Sequence, residues 1–165
     1  MALAPAITDI ELLKDHPALA ALLAWSRDGV EAAKFDRDEM TVWVAAKNIH
    51  EVCAVLRDNK EFPCNFLEDV TCVDWYPSEP RFEVVYHMLS MAKKERVRIK
   101  VKLASGQLTV PSITPVWPSA NFPEREVFDL FGIQFEGHPY LRRILMPEDW
   151  EGHPLRKDFP VEGYR

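Results

Sequence analysis

Between Arg96 and Leu103 the chain alternates strictly: Val97, Ile99, Val101 and Leu103 are apolar, while Arg96, Arg98, Lys100 and Lys102 are cationic. Period two belongs to extended backbone, where successive side chains leave on opposite faces. A helix would scatter the four apolar residues around its circumference, so this segment reads as a β-strand with one face in a core and one open to solvent. Met40, Val42 and Val44, set against Thr41 and Trp43, have the same form. Any fold of this chain therefore contains a sheet with a charged face. The basic residues read as the open side of an antiparallel strand, where charge keeps the sheet soluble and blocks pairing at an edge. No aromatic stacking platform accompanies them, and the chain carries a net charge of -6, so nucleic acid is not expected as a partner.

The flanking segments supply the rest of one domain, a size that 165 residues allow. Thr8 with Glu11 has the form of a capping box. Asp15 with Pro17 restarts a helix, rich in alanine and leucine, that stops before Asp28-Gly29. Strands are expected at Val30–Phe35 and Met40–Ala45, joined through Arg37-Asp38. Asn48 with Glu51 opens a helix whose Ile49, Val52, Cys53 and Leu56 make one apolar stripe. Further strands are expected at Val70–Trp75 and Phe82–Leu89, and Ser105-Gly106 turns the chain after the alternating run.

Proline then becomes frequent, with eight of the 13 at or beyond Pro111, which disfavours long regular elements. A short helix is expected from Trp117. Pro123 suits its first turn, Glu124 and Glu126 lie near its positive end, and Gly132 caps it. Val127, Phe128 and Phe131 would face the core. Beyond Phe135 the pattern is extended and punctuated by turns, which in a small domain marks function or docking. The expected fold is α+β: a mixed sheet of about five strands with helices mainly on one face. Residues 1–135 would form that body, and residues 136–165 an extended C-terminal docking arm of the same domain.

Several chemistries are excluded. Cys53, Cys64 and Cys72 stand 11 and 8 positions apart, without the close pairs that zinc or iron–sulfur sites use, and read as reduced buried thiols. No glycine-rich phosphate loop or nucleophile elbow occurs. His138 and His153 sit in near repeats, Glu136-Gly-His-Pro and Glu151-Gly-His-Pro, which are turn material and lack further converging ligands. A hydrolase using Glu126 with His138 or His153 would need a pocket or a metal that nothing here suggests. Met1 to Ile7 lacks the form of an export signal, and no apolar run approaches the ~20 residues that span a bilayer. No catalytic, cofactor-binding or metal-binding residue is therefore expected, and membrane contact would come only through partners.

What remains is dense charge: Glu124, Glu126 and Asp129 against Arg125, Arg142 and Arg143. Guanidinium forks pair well with carboxylates at interfaces, so these residues read as an ion-pair network on a surface meant to be covered by another protein.

The same residues carry a family likeness. Glu124-Arg125-Glu126, then Asp129-Leu130-Phe131, His138, Arg142 and Ile144-Leu145 resemble the hallmark of the 30 kDa subunit family of respiratory NADH:quinone oxidoreductase, complex I. The likeness continues through Pro147 and Gly152 to Phe159, and upstream through Trp117–Asn121 and Phe66–Thr71. Pro123 departs from the bulkier residue more usual before Glu-Arg-Glu, and some members carry a longer tail than one ending at Arg165.

The resemblance implies a non-catalytic subunit of the peripheral arm, at the cytoplasmic face of the cell membrane, packed on the subunit that helps to form the quinone pocket. Flavin, iron–sulfur clusters and quinone would lie in partner subunits, and the complex would pass electrons from NADH to quinone while moving protons. Glu124, Arg125, Glu126 and Asp129 would fix the helix to its surroundings. Arg142, Arg143, Arg156, Lys157 and Asp158 would pair within the arm or across to that quinone-site partner, with His138 and His153 at its turns. The alternative is the equivalent docking subunit of a related membrane-bound hydrogenase.

Overall fold

The computed structural model describes residues 5–162. The first four residues of the segment tested for an export signal, and the last three of the arm, lie outside the described residues.

Local signals set most boundaries. Helix α1 (Ile10–Leu13) is capped by Asp9, whose carboxylate accepts from the Glu11 amide at 2.9 Å, one residue later than the capping box expected at Thr8. Helix α2 (Pro17–Trp25) starts on its proline, and the cap is the His16 imidazole rather than Asp15. Strands β1 (Val30–Asp36) and β2 (Glu39–Val44) form a hairpin. Arg37 and Asp38 both take positive φ (53° and 63°), and a two-residue turn of that kind matches the twist of the strands it joins. Helix α3 spans Ile49–Asp58. Strands β3 (Phe66–Asp74), β4 (Phe82–Ser90) and β5 (Glu95–Leu103) follow, β3 starting four residues before the expected Val70.

The five strands make one mixed sheet in the order β1-β2-β5-β4-β3, with only the β2–β5 pair parallel. This corrects the expectation for the alternating segment. β5 is the central strand, so its charges guard no edge, and they are neutralised by carboxylates around them: Arg96 by Glu68, Arg98 by Glu39, Lys100 by Glu83. On the opposite face Val97, Ile99 and Val101 join Val42, Val84 and Tyr86 in a core roofed by Leu19 and Leu22 of α2 and Val52, Cys53 and Leu56 of α3. Burying each large aliphatic side chain there contributes about 1.5–3 kcal/mol.

The segment after β5 holds what the residue pattern did not announce. β6 (Thr109–Pro111) and β7 (Gln134–Glu136) pair in parallel as a separate two-stranded sheet, with Val110 and Phe135 buried. Between them a 3-10 turn at Pro118–Ala120 leads into α4 (Asn121–Phe131), which packs beside β3. The expected start at Trp117 is thus a turn, and the α-helix begins four residues on. The pairing of β6 with β7 holds the chain on both sides of α4, so the helix and the arm that leaves it start from a fixed point.

Candidate functional site

The acidic residues of α4 fall on different faces. Glu124 and Asp129 point inward and have no exposed surface, whereas Glu126 is exposed. Glu124 accepts from the Ser112 hydroxyl at 2.6 Å and the Ile113 amide at 2.7 Å, and no cation pairs with it among the described residues. Desolvation lifts its pKa to about 7, against the opposing pull of those two donors. A carboxyl whose folded pKa is raised contributes stability that is full below its unfolded value and is lost as pH rises through the folded value. Between about pH 4.5 and 7 this group therefore removes ~3 kcal/mol. The Glu124→Gln variant should lack that slope, so thermal melts of the two proteins should converge in acid and part near neutrality, with the variant more stable.

Asp129 is a hub. Its carboxylate accepts from Arg143 Nη1 at 2.6 Å and from the amides of Ile144 (3.0 Å), Leu145 (2.8 Å) and Met146 (2.8 Å). Desolvation pushes its pKa up, but the combined donors outweigh it and hold the group below the ordinary aspartate value. Arg143 also donates to the carbonyls of Asp129, Trp150 and Gly152. Arg125 donates to the carbonyls of Arg142 (3.1 Å) and Arg143 (2.9 Å). Of the network expected among these six residues, only the Asp129–Arg143 ion pair forms. Glu124 and Arg125 take uncharged partners, and the Arg142 guanidinium lies 4.3 Å from the Tyr140 ring centre.

The rest of the arm completes the helix. An α-helix leaves its last four carbonyls without internal partners. Here the Phe128 carbonyl accepts from the Gly132 amide at 2.8 Å, and the arm supplies the others. His153 Nδ1 lies 2.8 Å from the Asp129 carbonyl, the Leu155 amide donates to Leu130 at 3.1 Å, and Arg156 Nε donates to Phe131 at 2.6 Å. Gly132 is required twice over: its φ is 76°, and a Cβ there would stand 2.5 Å from both His153 and Arg156. His138 ties the arm to the start of α4, with Nε2 3.1 Å from the Asn121 carbonyl and Nδ1 accepting from the Tyr140 amide. Burial lowers the pKa of both histidines and favours their neutral forms.

The far end of the arm closes on the β3–β4 connection. Arg81 reaches Asp74 through Nε (2.9 Å) and Nη2 (2.8 Å), and Asp158 through Nη1 (2.9 Å) and Nη2 (2.7 Å). The Lys157 amide adds a bond to Asp74 at 2.8 Å. The Arg81 guanidinium lies 4.9 Å and 4.7 Å from the ring centres of Tyr76 and Phe82. These bonds hold Asp74 well below the usual carboxylate range and raise Arg81 further above its own. Arg81 and Asp74 hold the end of the arm, a role that sequence reasoning missed. The available signal was Asp74 itself, an acid in the inward register of a strand, in line with Val70 and Cys72.

The inner side of the arm is thus polar and internally satisfied. Its outer side is not: Tyr140 is 54% exposed, Leu145 58% and Leu155 51%, with Phe122, Ile144 and Trp150 also exposed. Arg142, Glu126 and the Lys157 ammonium have no carboxylate or guanidinium partner among the described residues. No group of three or more potential metal ligands converges there, and no described helix is long and apolar enough to cross a membrane. All three cysteines are free and buried, and burial pushes Cys64 and Cys72 up to about 12.

The chain is similar in sequence and fold to known proteins. Residues 42–165 match the family model described as respiratory-chain NADH dehydrogenase, 30 Kd subunit. An NADH-quinone oxidoreductase subunit from Roseiflexus castenholzii is 50% identical over 148 residues, which is 89% of this chain and 85% of that protein. Among solved structures, the trypsin-resistant fragment of Nqo5 superposes with a TM-score of 0.63 at 32% identity, covering 75% of this chain and 99% of that one. A chain of the membrane-bound sulfane sulfur reductase, an archaeal respiratory membrane complex, gives a TM-score of 0.73 at 26% identity, covering 92% of this chain and 85% of that one.

Proposed function

Because this chain belongs to the respiratory-chain NADH dehydrogenase 30 kDa subunit family, we propose that it is a non-catalytic structural subunit of the peripheral arm of a proton-pumping NADH:quinone oxidoreductase. It docks onto the quinone-site subunit of that arm, and meets the membrane's cytoplasmic face only through partners. Electrons pass from NADH through flavin and iron–sulfur centres of other subunits to quinone, and none of these cofactors is held here.

The observation that carries this reading is the two-sided arm. Its hydrogen bonds and ion pairs are spent inward, which holds an irregular segment rigid, while its outer side presents Tyr140, Ile144, Leu145, Trp150 and Leu155 to solvent. Large apolar side chains grouped on a surface mark a protein contact, and aromatic residues and arginine are the usual anchors of one. Arg142 beside Tyr140 has that character.

The test separates folding from docking. Leu145→Asp changes an exposed side chain, so its melting temperature should stay within about 2 °C of the parent. Recovery of the quinone-site partner with it, from native membranes in mild detergent, should fall about tenfold or more. Undiminished recovery would place the contact elsewhere on the chain.

A second reading has its own support. The likeness to a chain of the sulfane sulfur reductase complex fits an equivalent docking subunit in a related membrane complex, a hydrogenase included. Reduction of the purified complex by NADH, rather than by hydrogen, decides between them.

A further inference from the structure

The open face of the sheet carries a hollow that the arm does not use. It has a volume of about 290 Å³ and is lined by Trp43, Trp75, Ser78, Pro80, Glu83 and Lys102. We propose that it binds an extended acidic segment of a neighbouring protein, a carboxylate flanked by apolar side chains.

The walls are apolar and one is held in place. The Trp43 indole donates to Glu83 at 2.9 Å, and Glu83 is also paired with Lys100, so that buried carboxylate is already committed. Trp75 is 50% exposed across the hollow, with Pro80 beside it. The charge left unpaired in the lining of the hollow points to the occupant. Lys34, Arg96, Arg98 and Lys100 each have a carboxylate partner. Lys102, whose ammonium lies 6.0 Å from the Trp43 ring centre, has none among the described residues. The Ser78 hydroxyl has no hydrogen-bond partner among them either, so two free donors line one apolar hollow. An ammonium and a hydroxyl together suit a carboxylate, and the indole and proline surfaces suit the apolar groups beside it. The volume is at the lower end of ligand clefts, roughly 300 Å³, and takes a few side chains of an extended strand rather than a packed helix.

This site stands apart from arm docking, and the Leu145→Asp chain should retain it. The full chain has five tryptophans, so five indole N–H signals report on peptide binding by NMR. The probe is the blocked pentapeptide acetyl-Pro-Leu-Glu-Leu-Pro-amide. It should shift the Trp43 and Trp75 signals and leave Trp25, Trp117 and Trp150 in place. Replacing its glutamate by glutamine should weaken binding about fivefold, as should Trp75→Ala or Lys102→Glu in a chain of unchanged melting temperature. Equal binding of the glutamine peptide, equal binding by Lys102→Glu, a shift confined to Trp150, or no shift at millimolar peptide would each overturn the proposal. Free glutarate binding as well as the peptide would also overturn it, by making the hollow a small-acid site.

Discussion

Replacing Asp129 with alanine is expected to cost about 3–5 kcal/mol and to free the arm from α4. The loss is large because one carboxylate without exposed surface serves a guanidinium and three amides at once. Removing it leaves the Arg143 charge half-buried and three N–H groups without their acceptor, and unmade bonds of that kind are the expensive ones. Domains of this size have some 5–15 kcal/mol in total, so the melting temperature should drop by roughly 10 °C. Protease should then cut between residues 140 and 160, where the parent is expected to resist. Asparagine at the position should fall between, since it keeps one acceptor. Because the folded pKa of Asp129 lies below its ordinary value, its contribution is present above about pH 4 and fades as pH falls further. The gap between parent and variant should close in acid. A variant that melts within about 2 °C of the parent with its arm still protected would remove Asp129 from the centre of this structure.

Arg81→Leu is expected to be as damaging, again by about 3–5 kcal/mol, through a different fault. Asp74 is buried and Asp158 lies beside it, and only the guanidinium between them makes the pair tolerable. Without it two carboxylates face each other, one of them cut off from water. Both have folded pKa values depressed by Arg81, so the arginine's contribution is present above about pH 4 and is lost as pH falls through the folded values. The Arg81→Leu defect should accordingly be greatest near neutrality and shrink in acid. Adding Asp74→Asn should recover about half of the loss, because removing both members of a buried pair is milder than stranding one. If the double variant is no better than the single one, the cost comes from lost packing on Tyr76 and Phe82 instead.

The parts of this molecule that were readable in the residues are those set by local rules. Alternation placed β2 and β5, the stripe Ile49, Val52, Cys53 and Leu56 placed α3, and Pro123 with Gly132 bracketed α4. Period two reports which face a side chain takes and nothing about neighbours, which is why β5 could be mistaken for a charged, edge-guarding strand when it lies at the sheet's centre. β6 and β7, three residues each, are too short to show a period. At the site, composition announced a polar arm but not its partners. Ser112 meets Glu124 from twelve positions away, and Arg81 meets Asp158 from 77. The expected clustering of opposite charges also overlooked the carbonyls at the end of α4, which take His153 and Arg156 as their partners.

The long separation between Arg81 and Asp158 has a consequence for the order of events in folding. Closing so large a loop forfeits chain entropy before any contact rewards it, so this clasp forms after the β3–β4 hairpin that supplies Arg81 and Asp74. The far end of the arm thus comes into register late, over a sheet that has already formed. A chain with a faulty sheet offers its neighbours no finished surface, and assembly then acts as its own inspection step.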